Sequence, residues 1–299
     1  MKNETLARLK KERDAVVLAH YYVDGSVQDA ADYVGDSFTL AKIATGIDSK
    51  VIVMAGVEFM GETVKILNPE KIVYLPDPSA DCPMAHMVDV DAIEAMRKKY
   101  DDLAVVSYVN STAEVKAHSD YCLTSSNAQK VVASIDAKHI FFIPDGNLGH
   151  NTEGAFPDKH FINNAGCCPV HDSLTPDHVT KLKSLHPEAA VFAHPECKGS
   201  VLELADYTGS TKGILEAVGH LDRKENIILT EEGILWELNK RYPDKEFIFP
   251  DMVCEGMKKV TVDKIIHVLE TSENEVVLDK NIIEKAKVPL DRMLAICNR

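Results

Sequence analysis

The chain has 299 residues, of which 45% are hydrophobic and 27% charged, as in a globular protein large enough for two or three domains. Its 33 basic and 47 acidic residues give a net charge of −14, which argues against nucleic-acid and membrane-surface partners because both need a basic face. No apolar run reaches the roughly 18 residues of a membrane span, and the charged start lacks the apolar region of a signal peptide. We therefore expect a cytoplasmic protein.

The first predicted elements are a charged amphipathic helix over 1–14 and a short β-rich apolar run that ends at His20. A helical stretch, an Asp-Tyr pair, a Gly/Ser/Thr turn and a second helix follow. The chain continues with an apolar strand, a helix, a proline turn, a further strand, Cys82 and an amphipathic helix over 90–100. Apolar strands that alternate with helices predict a parallel sheet covered on both faces.

This series of elements occurs three times. Segments 15–44, 104–133 and 190–219 align, and each contains the Asp-Tyr pair in register. Rossmann-like units resemble one another in general, but the recurring Asp-Tyr pair and cysteine favour a true triplication. We predict an α/β fold of three pseudo-symmetric Rossmann-like domains with parallel sheets around a central pseudo-threefold axis. The predicted domains are 1–84 with 257–299, 85–170 and 171–256.

The cysteines provide the strongest functional signal. Cys82, Cys168 and Cys254 stand 86 residues apart at each interval, just past the end of a predicted strand. Ligands of parallel sheets bind at such strand ends. Three equivalent thiolates that meet on the axis would hold three irons of a cubane [4Fe–4S] cluster, and the fourth iron would stay open as a Lewis acid.

The other cysteines are weaker candidates. Seven cysteines without a CxxC pair suggest neither a disulfide framework nor a zinc finger. Cys122 and Cys297 are expected to be buried thiols, as most cysteines in α/β proteins are. Cys197 stays open because it lies beside candidate active-site residues, whereas Cys167 is set aside because the repeat register selects its neighbour.

Candidate proton-transfer groups lie at the ends of the first strands of the units. His20 with Tyr22, and His194 with Glu196, share one spacing, and Tyr108 with Asn110 occupies the matching place. Such groups orient carboxylates and shuttle protons. His171 is a candidate because it follows a predicted cluster ligand by three residues, while His86 and His150 are undecided. Six further histidines are expected to be inert, namely His118, His139, His178, His186, His220 and His267.

The turn after each Asp-Tyr pair places small hydroxyl residues at a predicted helix start. Helix N-termini offer free N–H groups to anions, so these turns are candidate phosphate sites. Simple N-capping by the same side chains is the alternative for each turn taken alone. The residues concerned are Ser37, Ser125, Ser126, Ser210 and Thr211.

Several motifs together resemble the quinolinate synthase family, over essentially the whole chain and in order. They are LAHYYVDGSVQDAADYVGDS, YVNSTAEVKAHSDYCLTSSNA, PDGNLGHNT, CCPVHD, HPEC and MKKVT. The resemblance implies three pseudo-symmetric domains around a [4Fe–4S] cluster bound by one cysteine from each. It also implies condensation of iminoaspartate with dihydroxyacetone phosphate to quinolinate, with loss of phosphate and two waters, for NAD biosynthesis. L-aspartate oxidase or aspartate dehydrogenase would be the iminoaspartate source.

The resemblance also implies roles for individual residues. Tyr22 and Glu196 would transfer protons, and the three repeated cysteines would ligate the cluster. Substrate-binding and further catalytic positions would be His20, Ser37, Tyr108, Asn110, Ser125, His171, His194, Ser210 and Thr211. Two residues depart from the family pattern: Tyr21 stands where asparagine is common, and Lys212 stands where glycine is frequent.

Two other functions remain open from the sequence. One is a different cluster-dependent hydro-lyase that acts on a hydroxy acid. The other is a non-catalytic iron–sulfur sensor or metabolite-binding module. The Tyr, Glu and His side chains at the strand ends favour catalysis over a binding module.

Overall fold

The computed structural model describes residues 2–298, in which twelve strands form three separate four-stranded sheets. Every strand pair is parallel. The strands are β1 (Ala15–His20), β2 (Tyr33–Gly35), β3 (Val51–Ala55), β4 (Ile72–Tyr74), β5 (Leu103–Tyr108), β6 (Tyr121–Leu123), β7 (His139–Ile143), β8 (His160–Asn163), β9 (Ala190–Ala193), β10 (Tyr207–Thr208), β11 (Glu225–Leu229) and β12 (Glu246–Ile248).

The three sheets share one strand order. It is β2-β1-β3-β4 in the first sheet, β6-β5-β7-β8 in the second and β10-β9-β11-β12 in the third. The two central strands of each sheet are almost wholly buried, which explains their continuous apolar sequences. The predicted α/β class with three Rossmann-like units is therefore confirmed.

Helices connect the strands and cover the sheets. A single turn of 3₁₀ helix spans Pro83–His86. The α-helices are α1 (Lys2–Arg13), α2 (Gly25–Ala30), α3 (Ser37–Ala44), α4 (Glu58–Leu67), α5 (Val90–Lys99), α6 (Ala113–Ala117), α7 (Ala128–Ala133), α8 (Gly146–Glu153), α9 (Pro169–Asp172), α10 (Pro176–Leu185), α11 (Gly199–Leu202), α12 (Thr211–His220), α13 (Ile234–Arg241), α14 (Glu255–Lys258), α15 (Val262–Thr271) and α16 (Lys280–Cys297). Among these helices of residues 2–298, none has the length and apolar composition needed to cross a bilayer.

The aspartate of each Asp-Tyr pair joins the first strand of its unit to the edge strand. Its carboxylate accepts a hydrogen bond from a backbone N–H of the first strand, and its own N–H donates to the carbonyl of that same residue. The carboxylate contacts are Asp32 with Val17, Asp120 with Val105 and Asp206 with Val191, each at 2.8 Å. The recurring pair therefore has a structural role that is repeated in all three units.

The C-terminal tail contacts two of the units. Helix α15 packs against α1 and α2, and the segment after it bonds to the edge of the first sheet through Val276 N and Val73 O at 2.8 Å. Helix α16 lies against α4 of the first unit and against α6, α7 and β6 of the second. One apolar core accordingly includes residues of both units and of the tail. The domain limits stay a prediction.

We expect Asp206→Ala to lower the free energy of unfolding by about 1 kcal/mol, because the Val191 N–H loses its partner next to the edge strand. Asp206→Asn keeps an acceptor oxygen of the same shape and should recover most of the loss. Urea unfolding followed by circular dichroism measures both variants. Equal stability of Asp206→Ala and the unaltered protein would contradict this structural role.

Candidate active site

One pocket lies where the carboxyl ends of strands from all three sheets meet. It contains about 660 Å³ of space free of protein atoms. All predicted site residues except Ser126 and Ser210 line it: His20, Tyr22, Ser37, Cys82, Tyr108, Asn110, Ser125, Cys168, His171, His194, Glu196, Thr211 and Cys254. Residues more than 200 positions apart thus share one cavity.

Each of the three repeated cysteines precedes a short helical turn. Cys82, Cys168 and Cys254 have extended backbone angles and occupy the N-cap positions of the 3₁₀ turn, α9 and α14. Proline at the next position in the first two favours a helix start there, because its φ angle is already helical. The same local geometry therefore presents one thiol from each unit to the pocket.

A carboxylate accepts a hydrogen bond from the backbone N–H of each of these cysteines. Cys82 N donates to Asp81 Oδ1 at 2.7 Å, and Cys254 N donates to Glu231 Oε1 at 3.2 Å. The carboxylate of Asp145 is hydrogen-bonded to the backbone of Cys168. These contacts hold the backbone of the three cysteines in place.

The three thiols resist ionisation in the isolated chain. Burial, together with the negative charge of an ionised Cys254, raises the pKa of Cys82 to about 12. Burial also raises the pKa of Cys168 and Cys254, and the charge of Glu196 adds to the effect at Cys168. Ionisation of all three therefore needs a positive partner, and metal ions supply one because they bind the thiolate form.

Glu196 is the buried centre of the polar side chains in the pocket. It is 3% exposed, with Oε2 at 2.8 Å from His171 Nδ1 and Oε1 hydrogen-bonded to the hydroxyl of Tyr108. Burial opposes its ionisation, but the hydrogen bonds that the carboxylate accepts from His171 and Tyr108 favour the ionised form, and its pKa is lowered. Glu196 is therefore ionised at neutral pH and accepts protons.

His20 and His194 are both buried, and both interact with this carboxylate. Burial lowers the pKa of each to about 3 although the charge of Glu196 acts in the opposite direction. The Nδ1 atom of His20 accepts from Tyr22 N at 3.2 Å, and Nε2 of His194 lies 3.1 Å from Ser125 Oγ. Both rings are therefore neutral at neutral pH and are suited to hydrogen bonding rather than to ion pairing.

Two tyrosines complete the set of proton-transfer candidates. The hydroxyl of Tyr22 lies 2.7 Å from Thr211 Oγ1 and 2.7 Å from Thr230 Oγ1. Burial and the charge of Glu196 raise the pKa of Tyr22 and Tyr108 well above the usual value. Both phenols therefore keep their protons and can donate them.

Hydroxyl groups and helix starts form the remaining wall. Ser37 and Thr211 are the first residues of α3 and α12, whose N-caps are Asp36 and Ser210. Ser210 Oγ accepts from Gly213 N at 3.1 Å, so this predicted site residue caps a helix and does not line the pocket. The oxygen Oδ1 of Asn110 is buried without a hydrogen-bond partner among the described residues, which suits a bound ligand.

An open groove leads away from the pocket and shares Asp36, Phe38 and Ser125 with it. Ser126 lines this groove and not the pocket. Lys212 also lines the groove, and its Nζ lies 3.9 Å from Glu216, so its charge faces the groove rather than the pocket. Tyr21, the other departure from the family pattern, is 4% exposed and packs into the core of the third unit.

The undecided residues Cys197, His86 and His150 lie outside the pocket, and so do the other three cysteines. Cys197 is buried with Sγ at 3.7 Å from Leu229 O, and Cys167 N donates to the Met87 sulfur. His86 pairs with Asp81 at 2.9 Å near the surface, and His150 is exposed beside Glu153. Cys122 is buried and Cys297 is half-buried.

Some residues at the site were missed by sequence reasoning. Asp36 and Phe59 line the pocket, and so does Glu231, which is 1% exposed and pairs with Lys258 Nζ at 3.0 Å. Thr230 lies behind the wall. Thr230 and Glu231 follow β11 directly. Ligands of parallel sheets bind at strand ends, so the end of the third strand of each repeat is the sequence signal that predicts these two residues.

We expect His194→Gln to reduce the dependence of stability on pH. Below the ordinary pKa of 6.5 an unfolded chain protonates this histidine while the folded chain does not, so stability falls as the pH falls toward 3. The drop in unfolding free energy between pH 6.5 and pH 5 should be smaller in the variant by up to about 2 kcal/mol. Urea unfolding at both pH values measures it. The exposed His178→Gln is the matched control, and an equal change in both variants would refute the assignment.

Known proteins resemble this chain over nearly its whole length. The family profile described as "NadA: Quinolinate synthetase A protein" matches residues 4–295. A protein named quinolinate synthase from Fusobacterium nucleatum is 51% identical over 294 residues, which cover 98% of each chain. One of the same name from Sulfurihydrogenibium sp. is 45% identical over 300 residues, which cover 98% of this chain and 97% of that protein. Quinolinate synthase 2 from Methanosarcina acetivorans is 45% identical over 295 residues, which cover 98% and 95% respectively. The matched residues include all three sheets and the whole pocket, so the chain belongs to the quinolinate synthase family of enzymes.

Proposed function

We propose that this enzyme condenses iminoaspartate with dihydroxyacetone phosphate to form quinolinate, with release of phosphate and two waters, at a [4Fe–4S] cluster. The observation that carries the proposal is the convergence of three cysteines, one from each repeat, on a pocket that also holds Glu196, Tyr22 and Tyr108. An electron-transfer centre has no need of such acid and base groups, whereas a condensation with loss of water does.

The donor set fits a cluster with one open iron. Cys82, Cys168 and Cys254 line the pocket, and no fourth cysteine of residues 2–298 does. Three thiolates leave one iron without a protein sulfur ligand. When bound, the cluster would supply a Lewis acid at that iron for a carboxylate, hydroxyl or nitrogen of the substrate.

The anionic groups of the substrates need hydrogen-bond donors, and the pocket offers uncharged ones. The hydroxyls of Ser37, Ser125 and Thr211, with the N–H groups at the starts of α3 and α12, form an anion-binding wall. The ammonium group of Lys258 is paired with Glu231 and therefore stabilises the wall rather than the substrate. His20, His194 and Asn110 supply the other hydrogen-bonding atoms.

Two residues transfer protons in this proposal. Ionised Glu196 accepts a proton from the substrate at a carboxylate oxygen. Tyr22 donates its hydroxyl proton to the leaving oxygen, since its raised pKa keeps it protonated. Tyr108 holds Oε1 of Glu196 and fixes the direction of the carboxylate. His171 does the same at Oε2.

L-aspartate oxidase or aspartate dehydrogenase would supply the unstable iminoaspartate.

Protein purified without oxygen should contain about four irons and four sulfides per chain and should form quinolinate from the two substrates. Cys82→Ala should lose both the cluster and the activity, because one of three thiolates is removed. Iron analysis, visible absorbance and quinolinate absorbance measure the outcome. Cys297→Ala is the control, since this thiol belongs to the last residue of α16 and does not line the pocket. An active Cys82→Ala enzyme with a full cluster would refute the ligand assignment.

Glu196→Gln should keep the cluster but lower kcat by about a hundredfold or more, because the amide fills the same space and cannot accept the proton. Iron content and steady-state kinetics on the same sample separate these two effects. Unchanged kinetics in a fully loaded variant would exclude Glu196 as the base.

A further inference from the structure

Two asparagines of helix α8 hold the backbone at Glu196 and at both of its neighbours. Asn151 Nδ2 donates to Pro195 O at 2.7 Å and to Cys197 O at 3.0 Å. Asn147 Nδ2 donates to Glu196 O at 3.2 Å. The two asparagines are four positions apart and share one face of α8. They belong to the motif PDGNLGHNT, to which the proposed function assigns no role.

The segment 195–197 needs these donors because it follows β9 and has left the sheet. Its own N–H groups bond to His194, since Cys197 N donates to the carbonyl at 3.0 Å and Glu196 N donates to Nδ1 at 3.4 Å. All three residues of the segment are buried, and a buried carbonyl without a donor is costly. The asparagine amides therefore take the place that a strand or water has elsewhere.

These hydrogen bonds join parts of the fold that have separate apolar cores. Helix α8 follows β7 of the second sheet, and its Leu148 belongs to the core shared by the first and second units. The segment 195–197 follows the third sheet, and Cys197 and Val201 belong to a different core. Polar contacts rather than a common core thus align α8 with the segment that carries Glu196.

The same helix also contacts the turn that begins at Cys168. Its N-cap residue Asp145 accepts from Leu148 N at 2.9 Å, and the Asp145 carboxylate is hydrogen-bonded to the backbone of Cys168. Asn147 Nδ2 donates to Oδ1 of Asp172, the last residue of α9, at 2.9 Å. Helix α8 therefore sets the distance between the backbone of a proposed cluster ligand and that of the proposed base.

We propose that Asn147 and Asn151 are positioning residues, which hold the segment 195–197 so that the Glu196 carboxylate meets the substrate in one orientation. The proposal rests on the function proposed above. Neither asparagine lines the pocket, and both donate to backbone carbonyls, so their effect reaches the carboxylate through the backbone. Loss of these bonds should slow turnover more than it weakens binding, because a small displacement of a reacting group has a large effect on rate.

The first test measures Asn151→Leu in protein that carries its cluster. Leucine branches at the same atom as asparagine but has no donor for the segment. We expect kcat to fall about tenfold, with KM for dihydroxyacetone phosphate changed by less than about twofold. Asn163→Ala is the matched control, because the Asn163 side chain contacts His150 and Glu153 of the same helix. Its kcat should stay within about twofold of the unaltered enzyme.

The second test repeats Asn151→Leu in the Glu196→Gln enzyme. If Asn151 acts through the carboxylate, the added substitution should change kcat by less than about twofold, since the group that it positions is already gone. Hydrogen–deuterium exchange of the peptide that contains residues 195–197 provides a readout that needs no turnover. Exchange should become faster in Asn151→Leu and stay unchanged in Asn163→Ala.

Iron content and thermal unfolding of each variant are measured alongside, and Asn151→Ala serves as a second donor-free variant if leucine is not tolerated. A loaded donor-free variant with unchanged kcat would overturn the proposal. So would an equal loss in Asn163→Ala, a full tenfold further loss in the Glu196→Gln enzyme, or loss of the cluster in both donor-free variants. Failure of the unaltered enzyme to form quinolinate would instead reject the proposed function.

Discussion

The pocket depends on the way three parallel sheets direct the carboxyl ends of their strands toward one cavity. A parallel strand presents its side chains and the following turn at one edge of the sheet, so each repeat delivers a first-strand polar group, a helix start and a cysteine to the same region. Because the three sheets have one strand order, the same kinds of group arrive from three directions. The local N-cap geometry at Cys82, Cys168 and Cys254 then aims the sulfur atoms inward.

Burial gives the groups in this cavity their chemical character. In water a carboxylate, two imidazoles and two phenols would titrate near their ordinary values, whereas here burial keeps His20 and His194 neutral and keeps the tyrosines protonated. Glu196 stays ionised because the hydrogen bonds that it accepts from His171 and Tyr108 oppose its desolvation. One buried base thus lies among groups that hold or donate protons, a separation of roles that acid–base chemistry on one substrate requires.

The three repeats have diverged where the chemistry needs different groups. The position after the central third strand is Gly56 in the first unit, Pro144 in the second and Thr230 in the third, and the next residue is Val57, Asp145 or Glu231. Two of these units supply a carboxylate to a cysteine backbone from this place, and the first uses Asp81 instead. A symmetric scaffold therefore holds an asymmetric site.

The sequence by itself was enough to determine the repeated α/β units, the strand-end groups and the three cysteines in register, because strand periodicity and a constant 86-residue interval are properties of the linear chain. It could not assign the partners of those groups. Glu196 contacts Tyr108 across 88 positions and the Tyr22 hydroxyl meets Thr230 across 208, so packing of one unit against another brings these pairs together. His171 reaches Glu196 across 25 positions through the fold of the third unit. The sequence also left the role of Ser210 undecided, since its hydroxyl was equally suited to binding an anion or to capping a helix. In the structure it caps α12. Tertiary structure decided these points because hydrogen bonds depend on distances between units that local sequence patterns do not encode.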